Sequence, residues 1–168
     1  MIKKLFIAIL CAMPFCLMAQ EFGYVNTAEI FQAMPATQEA NKKLEQLQKS
    51  YEDELLAYRE ELDRKGKEYI AERDSMLASI RMSREAELQN LQQRIEGFYQ
   101  DAMADINKQQ QEMLVPIHKA LMDAISQVGE ELGMIYIMDI SSEGSLMYYS
   151  KSKCKDVTNA VRAKLGIK

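Results

Sequence analysis

Apolar and polar residues alternate along this chain in three distinct rhythms. Leu5–Leu17 is almost wholly apolar, broken only by Pro14, and follows the basic pair Lys3-Lys4. From Ala40 the rhythm becomes helical: Ala40, Leu44, Leu47, Tyr51, Leu55, Tyr58 and Leu62 are spaced by 4, 3, 4, 4, 3 and 4 residues, and Tyr69, Met76 and Ile80 continue the row. A second stripe runs through Leu88, Leu91, Ile95, Phe98, Ala102, Ile106, Met113, Ile117, Leu121, Ala124, Val128 and Leu132. Such spacing places one apolar face on a helix, and the Glu, Lys, Gln, Asp and Arg between make the solvated face. Part of the first stripe repeats every 11 residues (Leu47, Tyr58, Tyr69, Ile80), close to the natural helix pitch, so the helix is expected to be nearly straight.

Two helices of about 45 residues each would run roughly 65 Å at 1.5 Å per residue. Neither buries its stripe alone, so an antiparallel hairpin is the economical arrangement. One continuous helix of nearly a hundred residues is the alternative. The stripe loses phase around Arg81-Met82-Ser83-Arg84, which puts the reversal at residues 78–85. Gly66 and Gly97 lie inside the arms as soft points, each costing about 1 kcal/mol against Ala. Pro116 is expected to kink the return helix.

The third rhythm is short and β-like. Phe22–Asn26 reads as a strand, capped by Asn26 or Thr27 into a helical turn over 28–33, with Met34-Pro35 interrupting and Thr37 starting the arm. Gly133 stops the return helix. Met134–Ile140 and Ser145–Ser150 read as two strands of a β-hairpin around Ser141-Ser142-Glu143-Gly144. Asp156 or Thr158 caps a last short helix ending at Gly166. A body of this size is undersized for its arm, and association would supply the missing burial.

The first 19 residues have the form of a secretory signal peptide, with cleavage expected between Ala19 and Gln20. The 21 Lys and Arg less Lys3 and Lys4 leave 19 against 25 Asp and Glu, so the mature chain carries a net charge of −6. That balance argues against nucleic acid as a partner. Cys11 and Cys16 leave with the leader; Cys154 alone remains, and no intrachain disulfide is possible. His118 is the single histidine, with neither a second histidine nor a cysteine pair to build a metal site. There is no phosphate loop and no nucleophile elbow. The chain reads as non-enzymatic, with no cofactor and no metal.

The order of elements, with Gly23-Tyr24-Val25-Asn26-Thr27-Ala28-Glu29-Ile30-Phe31-Gln32 at one end and Tyr136-Ile137-Met138-Asp139 and Lys155-Asp156-Val157-Thr158-Asn159-Ala160-Val161 at the other, resembles the Skp/OmpH family of periplasmic chaperones. The resemblance implies a mostly α fold in which a long antiparallel coiled-coil hairpin projects from a small β-containing trimerisation domain. Residues 20–36 and 129–168 would form the body and 37–128 the arm. It implies a homotrimer that holds unfolded outer-membrane β-barrel proteins without ATP during periplasmic transit, in transient proximity to the membrane. The acidic balance departs from the basic arms of the best-known relatives, so no lipopolysaccharide site is carried over. A structural or adaptor coiled coil of the envelope, with one dedicated partner, is the competing reading. Met76, Met82, Tyr69, Phe98 and Tyr99 are the candidate client contacts, because methionine and aromatic side chains adapt to irregular apolar partners. Tyr24, Val25, Ile30, Phe31, Ile135, Ile137, Leu146, Tyr148, Val161 and Leu165 are the candidate body and oligomer core.

Overall fold

The computed structural model describes residues 21–142 and 146–167. The leader, its cleavage point and Glu143-Gly144 of the expected turn lie outside those residues. The elements in chain order are β1 (Glu21–Val25), α1 (Thr27–Ala33), α2 (Pro35–Glu72), a 3₁₀ turn (Arg73–Ser75), α3 (Ala78–Glu131), β2 (Met134–Asp139), β3 (Lys155–Asp156) and α4 (Thr158–Lys164). At 38 and 54 residues, α2 and α3 are roughly 57 and 81 Å long. They pack against one another as the hairpin that the two stripes demand.

Two local signals shape the entry to the arm. The Asn26 side chain accepts from the Glu29 amide at 3.1 Å, capping α1. Met34 is extended (ψ 125°), and Pro35 then occupies the first turn of α2. The arm helix thus starts two residues before Thr37, at the position where a missing N–H costs nothing.

The reversal falls earlier than residues 78–85. Helix α2 ends at Glu72, and Met76 and Leu77 are extended (ψ 140° and 147°) before α3 begins at Ala78. The Ser75 hydroxyl donates to the Glu72 carbonyl at 2.7 Å and satisfies one of the free carbonyls of the helix end. Arg81–Arg84 is already helical; its lost phase marks first turns that have no partner helix opposite all their faces. Pro116 lies inside α3 without ending it.

The expected β-hairpin does not form among the described residues. Instead β1 is the central strand of a three-stranded parallel sheet in the order β2-β1-β3. Gly23 faces Ile137 and Tyr24 faces Met138 on one side; Gly23 faces Lys155 and Tyr24 faces Asp156 on the other. Parallel neighbours need a long crossover, and the whole arm serves as that connection between β1 and β2. Both edges of β1 are therefore taken, and Leu146–Ser150 forms no strand among the described residues.

The core sits where the sheet, α1, α4 and the base of the arm meet. Val25, Ile30, Val157 and Val161 are fully buried, with Met34, Ala40, Ile117, Leu121, Ala124 and Val128 around them. Gly23 lets the core close over the sheet: a Cβ would stand 2.6 Å from Met134 Sδ and 3.3 Å from Ile137 Cγ1, so both side chains would have to shift. Gly133 (φ 63°) and Gly166 (φ 70°) take the left-handed conformation that closes α3 and α4.

Candidate functional site

The body is tied at the end of β1 by two matching clasps. On one side the Thr27 hydroxyl donates to Asp139 Oδ2 at 2.6 Å and the Thr27 amide to Oδ1 at 3.3 Å. The Ser141 amide and hydroxyl reach the same carboxylate, each at 2.9 Å. On the other side the Asn26 amide donates to Thr158 Oγ1 at 3.2 Å, and the Thr158 amide to Asp156 Oδ1 at 2.9 Å. Partial burial pushes both carboxyls up, but these hydrogen bonds outweigh it and hold Asp139 and Asp156 below the usual carboxylate range. Tyr24 lies between the clasps against Tyr149, ring centroids 5.0 Å apart; its burial, then the Asp156 charge, raises its phenol above the ordinary value. These groups tie α1 and α4 to the sheet at the root of the arm.

Along the arm the two helices meet in alternating polar and aromatic rungs. Tyr51 donates to Asp105 Oδ2 at 2.8 Å, and that bond raises the phenol pKa. Phe98 lies edge-on between Tyr51 (5.8 Å) and Tyr58 (5.3 Å), and the Arg94 guanidinium stacks over the Tyr58 ring at 4.4 Å. Further out, Lys65 is bound to Glu87 and the Tyr69 hydroxyl to Glu85. Between Ala40 and Ile117, only Leu91 and Ala102 are buried among the described residues.

What the arm leaves exposed is apolar to an unusual degree. Ile70, Leu77 and Met82 at the tip are each more than two-thirds exposed, and Ile80 nearly half. Leu56, Tyr99, Met103, Val115 and Met122 carry the exposure down to the base. An open groove of 280 Å³ at mid-arm is lined by Tyr51, Leu55, Phe98, Ala102, Met103 and Ile106. Of the candidate contacts, Met82 and Tyr99 stand in solvent, Met76 and Tyr69 are half-buried at the outer end, and Phe98 is wedged between tyrosines of the opposite helix. Leu56, Ile70, Leu77 and Val115 escaped the sequence reading. Each lies out of phase with the stripe, and that mismatch is the signal by which they are found.

Of the candidate body residues, Val25, Ile30 and Val161 are fully buried, and Phe31, Ile137 and Leu165 pack half-buried against them. Tyr24 and Leu146 are half-buried. Ile135 and Tyr148 are exposed, as are Phe22, Tyr136 and Met147; Phe22 and Tyr136 stack at 6.3 Å. Several large apolar side chains of the body are thus left exposed among the described residues. His118 is exposed and stacks on Phe31 at 4.6 Å. Cys154 is a half-buried free thiol. No group of three or more metal-ligating side chains, and no helix long and apolar enough to cross a membrane, occurs among the described residues.

Residues 21–165 match the family model described as outer membrane protein (OmpH-like). No curated protein matches the chain. The fold is similar to a crystal structure from Caulobacter crescentus CB15 whose name assigns that protein a provisional role as an OmpH-like outer membrane chaperone. The TM-score is 0.74 at 18% identity, covering 87% of this chain and 83% of that one. At that identity the likeness speaks for the fold.

Proposed function

This chain belongs to the OmpH-like outer membrane protein family, and from that premise we propose that it is an ATP-independent periplasmic holdase for unfolded outer-membrane proteins. The observation that carries the reading is the long arm with large apolar side chains left in solvent from tip to base: Ile70, Leu77, Met82, Tyr99, Met103, Val115 and Met122. A folded protein that needed only to space two partners would gain nothing from them, whereas one that binds unfolded chains would use them.

The physical task fits the surface. A barrel strand is apolar on alternate positions and carries unpaired backbone until its sheet closes. Many weak apolar contacts, each individually reversible, keep such a chain soluble without committing it to one conformation. Methionine suits this because its unbranched thioether side chain fits irregular partners. No ATP is required, since release follows when the client buries its own apolar face elsewhere.

Two further statements belong to the same proposal. The chain is exported by a cleavable signal peptide and works in the periplasm. It assembles as a homotrimer through the body, where association would cover exposed apolar side chains such as Phe22, Tyr136 and Tyr148. The test is light scattering of a urea-unfolded outer-membrane barrel diluted with and without the mature protein. Suppression of aggregation at stoichiometric trimer without ATP is the expected result. No suppression across several barrel clients would overturn the holdase reading in favour of an adaptor with one partner.

A further inference from the structure

The outer third of the arm is joined by charge rather than by packing. Past Leu91 toward the tip, no side chain on either helix is buried among the described residues. Two links cross the gap there, Lys65 to Glu87 and Tyr69 to Glu85. The first belongs to a chain of four charges: Glu61 lies 3.5 Å from Lys65 on α2, and Arg84 lies 2.9 Å from Glu87 on α3. Cavities of 160 and 230 Å³ flank the Lys65–Glu87 bridge, one toward Tyr69 and Met76 and the other toward Leu91 and Arg94. Both are open to water, so the helices bury little apolar surface between them at this level. Gly66 adjoins the bridge, and a Cβ there would meet nothing within 4 Å. Crowding does not demand that glycine; local softness of the helix is its consequence.

We infer that Glu61, Lys65, Glu87 and Arg84 form a salt-sensitive latch, and that its release parts the outer ends of α2 and α3 to offer Leu62, Tyr69, Met76 and Leu88 to an extended apolar segment of an unfolded chain. The occupant rests on the holdase reading above. In the closed arm those four side chains are half-buried against the opposite helix. Once the helices part they become continuous with Ile70, Leu77, Ile80 and Met82, which are exposed already. The latch is thus a reserve of apolar surface held by partly exposed ion pairs, whose modest contribution salt weakens. It opens at the tip first, since the aromatic rungs at Tyr51, Tyr58 and Phe98 hold the middle of the arm.

Spin labels at Ile70→Cys and Ser83→Cys, in a Cys154→Ser chain diluted into unlabelled protein so that each assembly carries one labelled copy, read the separation across the tip. The long-distance population is expected to rise several-fold between about 0.1 M and about 1 M NaCl, as the screening length falls from roughly 10 to roughly 3 Å. Adding an unfolded barrel at low salt is expected to shift it the same way. The Lys65→Met/Glu87→Leu variant replaces the bridge with apolar contact and is expected to stay closed at every salt concentration. A photoreactive leucine at Leu62 should then cross-link the barrel several-fold less than in the wild-type background. One short distance under all conditions overturns the latch. Opening by salt with no cross-link at Leu62, in protein that still suppresses aggregation, overturns capture at this site and leaves the holdase reading standing. Opening by salt in protein that protects no client overturns the holdase reading alone.

Discussion

Replacing Asp139 by Asn isolates the charge in the clasp that ties α1 to the end of β2. The carboxylate accepts from the Thr27 hydroxyl at 2.6 Å, the Thr27 amide at 3.3 Å, and the Ser141 amide and hydroxyl at 2.9 Å each. Asn keeps the carbonyl oxygen that receives the amides and turns an NH₂ toward the two hydroxyls, which can rotate to accept. What is lost is the charge-assisted part of the bonds. Hydrogen bonds to charged groups contribute about 1.5–3 kcal/mol against about 1 kcal/mol for neutral ones, so a loss of about 1–2 kcal/mol is expected at pH 7. The pH dependence follows from the lowered carboxyl pKa. A group whose folded pKa is depressed stabilises the fold fully above its unfolded value, about 3.9 for Asp, and that contribution disappears as pH falls through the folded value. Wild type and Asp139→Asn should therefore differ at pH 7, begin to approach one another below about pH 4, and converge only below the lowered folded value. The readout is hydrogen-exchange protection of the Ile140 and Val157 amides, which bond the Val25 and Tyr24 carbonyls at 2.9 and 3.0 Å. Both report opening of the sheet without interference from the long helices. Protein concentration is held fixed, because association shifts apparent stability. Equal protection at pH 7 would refute the clasp, and a deficit that persists unchanged at pH 3 would show that shape rather than charge was lost.

Ile30 is fully buried between the sheet and the arm base, so Ile30→Ala is expected to cost about 2–5 kcal/mol and to lower the melting temperature of the body; an unchanged melt by circular dichroism contradicts the packing described. The triple change Ile70→Ser, Leu77→Ser and Met82→Ser touches side chains more than two-thirds exposed, and stability should move by no more than about 0.5 kcal/mol for each. If each contributes about 0.5 kcal/mol to client binding, the apparent Kd for an unfolded barrel rises about tenfold; fluorescence anisotropy of a labelled client reads this, and full affinity would remove the tip from the contact surface.

The sequence carries the arm because a helix stripe records its own partner: two amphipathic faces joined by a short reversal have one economical way to meet. It carries the position of the reversal less well. The phase loss at Arg81–Arg84 follows the turn, whereas the extended backbone of Met76 and Leu77 marks it without Gly or Pro. Two of the three strands were legible, and the third strand and the topology were not. A continuous apolar run of strand length shows that Met134–Asp139 is extended, yet nothing local says that it pairs in parallel with β1 across the whole arm. Nor does it show that Lys155-Asp156 takes the second edge from Leu146–Ser150. The apolar residues in solvent were the least legible. A stripe identifies Leu55, Tyr69 and Met76, and adjacency to those positions hides Leu56, Ile70 and Leu77, which face the other way.

These observations join into one gradient. At the body, fully buried aliphatic side chains and two hydrogen-bonded clasps fix the root of the arm. At mid-arm the contacts are aromatic, partly solvated and interleaved with hydrogen bonds. At the outer end charge bridges a poorly filled gap, and the large apolar side chains face water. Local stability follows the number of buried apolar contacts, so it must fall from root to tip. Exposed apolar side chains occur along the whole of the arm. A rigid arm with this surface would offer a client one fixed shape, and a floppy one would lose entropy on every contact. A firm root with a yielding tip avoids both: the root sets where the arm reaches, and the tip conforms to what it meets.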